Sequence, residues 1–181
     1  LIAYQKIGES RHYRKFQGLS KTNQIESLNI FSVNNDYFKS FSNNSSLVYG
    51  YEYTFNNVNS EAYLQNYKST ISGLAESNQF YNIPTRYPSD EGHYSTGAIY
   101  YEYRKDLSIK SNVNFGMRFT NTRLRAKWND INIINANISN VRSQNSSITS
   151  SFGYVLRAEN NWKISANFSS GFRSPNIDDI G

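Results

Sequence analysis

Cysteine is missing from all 181 positions, so neither a disulfide framework nor a thiolate metal site is open to this chain. Proline occurs three times and methionine once. No run approaches the roughly 20 consecutive apolar residues that a membrane-spanning helix needs. That excludes a helical membrane protein and says nothing against membrane β-structure, whose strands cross as shorter, alternating segments. Histidine is limited to His12 and His93, and a lone histidine with no partner ligand reads first as a surface residue. No nucleophile elbow, phosphate-binding glycine loop, zinc motif or EF-hand pattern occurs. The turns Ser89–Gly92 and Asn176–Gly181 carry carboxylates, but too few at loop spacing to hold Ca²⁺. The expectation is a chain with no catalytic residues, no metal site and no cofactor: not an enzyme.

Aromatics are plentiful instead. Fifteen Tyr, eleven Phe and two Trp sit in a chain that is only 38% hydrophobic, with a mean hydropathy of −0.67. Low apolar content alone would fit disorder, but a solvated tail has no use for so many rings. The mixture suits β-structure, and in particular transmembrane barrels, whose strands look polar on average because every second residue faces a wet lumen. The net charge is +5. Basic residues are scattered apart from Arg11–Lys15 and the stretch Thr122–Trp128. Such a patch can bind nucleic acid, but the dispersed pattern reads better as solvated loop ends or lumen-facing charge, and no nucleic-acid partner is expected.

Alternation is the strongest positional signal. Leu47, Tyr49, Tyr51, Tyr53 and Phe55 share one parity, with Val48, Gly50, Glu52 and Thr54 on the other. Val113, Phe115, Met117 and Phe119 oppose Asn112, Asn114, Gly116 and Arg118. Ile148, Phe152, Tyr154 and Leu156 oppose Thr149, Ser151, Gly153 and Arg157. The stretch from Trp162 to Phe172 repeats the pattern with Ile164, Ala166 and Phe168. Each is an extended strand with one apolar and one polar face. Two earlier segments, Leu1–Arg14 and Thr22–Ser40, are noisier. Leu28, Ile30, Phe31 and Val33 straddle both parities, which predicts a bulge or a mixed environment there. About seven strands are expected.

Connections decide what the apolar face meets. Short polar turns join strands around Arg104–Ser108 and Arg157–Trp162, and Lys39–Ser46 is only slightly longer. Long loops are expected over 57–92 and 126–144, all at one end. Short periplasmic turns with long extracellular loops are the habit of outer-membrane barrels. Trp162 follows a short turn, where an interfacial aromatic girdle would lie. The fold expected is therefore all-β: an antiparallel transmembrane β-barrel, its apolar face in lipid. Seven strands cannot close such a barrel, so residues 1–181 are expected to be an arc of a larger barrel domain, with the barrel's ends absent. Both termini fall where a cut would, with no signal segment at Leu1.

The sequence Phe168–Gly181 resembles the TonB-dependent outer-membrane receptors, in which a barrel strand ends in a Gly-Phe-Arg-Ala-Pro-Asn-like box. Here the box is Gly171, Phe172, Arg173, Ser174, Pro175 and Asn176, with Ser174 in place of the usual Ala. Ala3–Phe16 and Thr85–Tyr103 are similar to segments of the same family, especially its Bacteroidetes-type members. The resemblance implies a plug domain, absent here, inside a barrel of about 22 strands. It also implies energised uptake through the TonB complex, again by regions absent from this chain. The nutrient implied is a scarce one such as an iron complex, siderophore or haem. In the haem-uptake branch, the ligand histidine and a second box would lie beyond Gly181. The location implied is the Gram-negative outer membrane, with lipid and lipopolysaccharide as surroundings.

Ligand contacts are expected at His93, which an extracellular loop could offer to haem iron, and at Tyr81 and Tyr87, whose rings could stack on a planar ligand. Arg173 shares the parity of Gly171 and could face plug or ligand, or serve only in a lumen ion pair. Two rival readings remain: a passive porin-like or structural barrel, and a soluble β-sandwich or adhesin-like binding module. In intact cells the barrel reading expects external protease to cut only within 57–92 and 126–144. Cleavage from outside at the short turns Arg104–Ser108 or Arg157–Trp162 would overturn it.

Overall fold

The computed structural model describes residues 1–129, 140–158 and 162–179. Positions 130–139, 159–161 and 180–181 lie outside the described residues, and with them part of the expected loop 126–144, of the turn Arg157–Trp162 and of the carboxylate turn Asn176–Gly181. Eight strands form one antiparallel sheet: β1 (Ile2–Arg14), β2 (Ser20–Phe41), β3 (Ser45–Thr70), β4 (Gly73–Asn82), β5 (Glu91–Ser108), β6 (Ser111–Lys127), β7 (Asn140–Arg157) and β8 (Lys163–Ser169). Seven make a continuous path in the order β1-β2-β3-β5-β6-β7-β8, and β4 pairs with β3 off that path. Among the described residues no pairing joins β1 to β8, so the sheet is open, as an arc of a barrel must be.

Register carries the alternation from strand to strand. Tyr37, Tyr49, Tyr101 and Met117 are successive cross-strand partners. So are Tyr51, Ile99, Phe119 and Ile148, and Tyr103, Phe115, Phe152 and Phe168. These rows build a single apolar wall, in which Tyr37 stacks on Tyr49 at 5.2 Å between ring centroids. The wall is bare: Ile99 is 61%, Ile148 64% and Phe168 71% exposed. A soluble sheet would cover such a face, whereas a barrel turns it to lipid. The top of the wall slants. It reaches Phe31 on β2 but stops two outward positions lower, at Ile148, on β7. Strands tilted by about 35–45° to the barrel axis require that offset.

The opposite face is the inner one. Here side chains span two strands: Arg118 on β6 reaches past β5 to Glu52 on β3, and Tyr100 on β5 reaches past β3 to Asp36 on β2. Arg118 also donates to Thr120 Oγ1 at 3.1 Å, and its guanidinium lies 5.6 Å from the centre of the Tyr100 ring. On the lipid wall an unpaired arginine at mid-membrane depth would cost about 2–4 kcal/mol. On a paired, wet inner face it does not.

Several expectations are corrected. The long connection 57–92 is mostly strand: β3 continues to Thr70 and a hairpin returns through β4, with a register shift between Gln65 and Tyr67. Gly73, at φ +122°, closes its turn in a conformation that L side chains rarely adopt. These segments rise above the lipid, where the outward face is no longer apolar and the period-2 signal fades. No bulge interrupts β2, whose ladders with β1 and β3 are unbroken. The mixed environment is real instead, since Phe31 and Val33 point outward while Leu28 and Ile30 point inward. The basic run in Thr122–Trp128 is neither loop end nor lumen charge, because Arg123, Arg125 and Lys127 continue the outward parity of Phe119 and are exposed.

Gly50 sits where Tyr100 crosses β3. A Cβ there would run into Asn35 O and meet the Tyr100 hydroxyl at 2.8 Å, whereas nothing lies within 4 Å of one at Gly8. Gly50→Val is therefore expected to cost about 1–3 kcal/mol of folding stability by overpacking, and Gly8→Ala close to nothing. Denaturant midpoints for folding into detergent micelles check this.

Candidate functional site

At the end of the sheet away from the short turns, two connecting segments fold across the inner face. Ile83–Asp90 is tied at both ends. The Ile83 amide donates to Ala62 O at 3.1 Å, and the Asp90 amide donates to Lys127 O at 3.0 Å. Lys127 Nζ lies 2.5 Å from Asp90 Oδ2, and the Asn129 amide donates to Ser89 Oγ at 3.2 Å. Pro88 is fully buried between them. This clamp delivers the Tyr87 ring to the inner face. The Lys127 ammonium holds the Asp90 carboxyl below its ordinary range, chiefly by hydrogen bonding, and Asp90 in turn raises Lys127.

The second segment is the box. Its strand stops pairing at Ser169, with one further bond from the Ser170 amide to Ser150 O at 2.9 Å. The chain then crosses β7 and β6, where Ser174 Oγ lies 2.6 Å from Thr122 Oγ1 and accepts from Asn145 Nδ2 at 3.2 Å. It ends in a 3₁₀ turn, Ile177–Asp179. The turn is capped reciprocally: the Asn176 amide donates to Asp179 Oδ2 at 2.9 Å, and the Asp179 amide to Asn176 Oδ1 at 3.1 Å. Arg173 donates to Asp179 Oδ1 at 2.9 Å.

Between these segments and the inner faces of β1, β2, β3 and β5 lies a cavity of about 450 Å³. Its wall is largely apolar, from Ile7, Leu28, Ile30, Val58 and Ile177, with the Tyr87 and Tyr94 rings beside them. Two carboxylates interrupt it. Glu9 and Glu26 are direct cross-strand partners. Glu9 is neutralised by Arg11, whose Nε donates to it at 2.6 Å and holds its carboxyl low. Glu26 is 9% exposed, and its Oε1 is buried without a hydrogen-bond partner among the described residues. A buried carboxylate oxygen left unpaired is costly, so a donor placed in this cavity would relieve it. A second hollow of about 310 Å³ lies below Tyr94, lined by Thr96, Arg118, Thr122 and the box residues Gly171 and Phe172.

Of the residues singled out by sequence, Tyr87 and Asn176 meet in the larger cavity, while Gly171 and Phe172 line the smaller. The others stand apart. His93 falls on the outward parity, 5.4 Å from the Phe55 ring and 3.2 Å from Glu91 Oε1. Tyr81, on β4, is exposed and lines neither hollow. The Arg173 side chain is 84% exposed and takes the ion pair with Asp179, and Pro175 is exposed. Glu26 was invisible beforehand. Its segment lacks alternation, and only the register shows Glu9 opposite it.

The family model described as TonB dependent receptor-like, beta-barrel, matches residues 3–181. Among curated proteins and solved structures nothing matches the chain.

The clamp on Ile83–Asp90 has a pH signature. Because the Asp90 carboxyl is held low, its stabilisation is complete above the ordinary aspartate range and is lost as pH falls through the lowered value. Protection factors of the Asp90 and Asn129 amides, with exchange corrected for its intrinsic pH dependence, are expected to be high and unchanged from neutral pH down to that range, then to fall. Asp90→Asn should raise exchange at neutral pH and flatten the acid response.

Proposed function

Because the chain belongs to the TonB-dependent receptor-like β-barrel family, we propose that it takes up a scarce nutrient in the form of an iron complex. Membership carries the coarser statement directly: an outer-membrane, TonB-dependent transporter rather than an enzyme. The finer reading is that residues 1–181 supply an arc of a larger barrel around an absent plug, with β1 and β8 pairing to neighbouring strands. Open edges are not tolerated in hydrocarbon, which supports that placement. Ligand would enter from the extracellular end and rest against the inner face before the plug moves.

The observation that carries the ligand reading is Glu26 Oε1, an acceptor without a partner among the described residues in a largely apolar, ring-lined wall. Such a surface suits a compact complex with an apolar body and a donor, hydroxyl or ammonium, on its periphery. It disfavours haem, whose two carboxylates would meet Glu26 and Glu9 in a low-dielectric recess. Neither histidine lines the cavity: His93 faces outward, and His12 Nδ1 lies 2.8 Å from Asn23 Oδ1. The reading supported best is therefore a neutral or cationic iron chelate of the siderophore kind.

The test is uptake of radiolabelled iron chelates by a receptor-deficient host carrying the full-length protein. Uptake of a cationic chelate is expected to need the proton gradient. It should fall about tenfold in Glu26→Gln, the loss of one charge-assisted hydrogen bond, with surface display unchanged. Gradient-independent entry would favour a passive porin instead, and equal uptake by the variant would remove Glu26 from the site.

A further inference from the structure

Three charges meet on the inner face of β1 and β2 at the larger cavity, and they do not cancel. Glu9 and Glu26 stand directly opposite each other, and Arg11 follows one inward position further along β1, opposite Gln24. Like charges facing each other on one side of a sheet repel. Arg11 engages one of the two: its Nε lies 2.6 Å from Glu9 Oε1, while Glu26 Oε1 has no partner among the described residues. The arginine does not line the cavity, whereas both carboxylates do. A second guanidinium, Arg86, lies 5.1 Å from the centre of the Tyr87 ring and reaches Glu9 through its field. The side chains of Arg11 and Glu9 are about half exposed, and an ion pair so open adds little to the fold. Its effect lies in how much negative charge it leaves to the cavity.

Charge counting decides what fits. Glu9 with Arg11 is a neutral unit, so the cavity offers an incoming ligand one anionic acceptor, Glu26. A body with a single ammonium satisfies it. A second ammonium would find Glu9 engaged and two guanidinium groups beside it, and would be desolvated without a partner. Releasing Glu9 reverses this, because carboxylates on directly opposed residues, with Cβ atoms about 4.5–5.5 Å apart, can each take one donor. An arginine also keeps its proton at every physiological pH, so its hold on Glu9 does not vary with the medium.

We propose that Arg11 is a positioning residue that sets the charge selectivity of the cavity: by holding Glu9 it restricts the site to ligands with one cationic donor and excludes those with two. Glu26 accepts that donor, and Glu9 stays with Arg11. The inference rests on the reading of this cavity as a site for a cationic chelate and narrows that class to singly cationic ones.

The experiment uses the full-length protein in mild detergent and three probes that share one ferric trihydroxamate body. One carries a free ammonium, its N-acetyl derivative carries none, and its lysyl derivative carries two. Affinity is read by quenching of the protein's fluorescence, and folding by heat-modifiable gel mobility. The wild type is expected to bind the one-ammonium probe about tenfold more tightly than the acetyl probe, and the two-ammonium probe no better. Arg11→Gln should shift the ratio about tenfold toward the two-ammonium probe, and Arg11→Lys should keep the wild-type order. Adding Glu9→Gln to Arg11→Gln should restore that order, a reversal that a merely structural role of Arg11 does not produce. An unchanged ratio in folded Arg11→Gln, or a gain that survives the added Glu9→Gln, would overturn the proposal. Glu9→Gln alone tests it with the arginine kept: the freed Arg11 competes for Glu26, so the one-ammonium probe should bind more weakly, and equal binding counts against the proposal. Equal binding of the one-ammonium and acetyl probes by the wild type would instead sink the cationic reading of the cavity, and the proposal with it.

Discussion

Backbone pairing is the constraint on which everything else in this protein depends. In hydrocarbon no water is available to satisfy an N–H or C=O, so each residue at membrane depth must be bonded to a neighbouring strand. The unbroken ladder of β2 with β3, from Ser20 opposite Asn66 to Phe41 opposite Ser45, meets that demand with length to spare. Once the ladder is fixed, register is fixed, and a slip of one residue would turn every tyrosine of the outer wall into the lumen. The outer wall, the inner charge network, the cavity and the basic run of β6 are four readings of the same register.

The parts of the fold legible in sequence are those at membrane depth, because there the two faces meet different solvents. Tyr49, Tyr51 and Tyr53 alternating with Gly50 and Glu52 could be nothing but a strand with one face out of water. Beyond Asn57 the apolar–polar alternation fades, and β3 from there and all of β4 read as loop. The site was less legible for a related reason. Tyr87 was visible as an aromatic in a connection, but the clamp that swings it inward depends on Lys127 and Asn129, some forty residues away. Glu9 and Glu26 become a pair only through the β1–β2 register. His93 misled because a histidine near a loop suggests a ligand, whereas its parity, set by Phe55 and Asn57 on β3, turns it outward. The box was recognisable by its letters, yet its path across the inner face depends on Ser174 finding Thr122 and Asn145.

Charge is sorted by face, and the sorting follows from solvation. At membrane depth the inner face accepts Arg118 because Glu52 and the Tyr100 ring are in reach, while among the described residues the outer face at the same depth holds no unpaired arginine. Higher up the rule inverts: the inner face of β6 becomes Leu124 and Ala126, only 2% and 1% exposed, and the outer face becomes Arg123 and Arg125. The strand exchanges its polar and apolar sides where it leaves the lipid. No local propensity produces that switch. It follows from what lies beside each face, lipid then headgroup outside, wet lumen then packed connecting segments inside.

Strand length turns this sorting into architecture. A barrel strand needs about 9–11 residues to cross a bilayer, yet β3 has 26 and β5, β6 and β7 have 17 or 18 each. The surplus lies entirely beyond the long-connection end, where it raises a rigid wall above the membrane. On that wall the cavity is built from strand residues, Ile7, Glu26, Leu28 and Val58, rather than from loops, so its shape is held by ladder hydrogen bonds instead of side-chain packing alone. Connecting segments contribute what must reach inward, Tyr87, Asn176 and Ile177. A recess set on rigid strands loses little entropy on filling, and it can hold an unpaired acceptor such as Glu26 in place. The same extension that lifts the recess carries Arg123, Arg125 and Arg142 outward and exposed above the apolar rows.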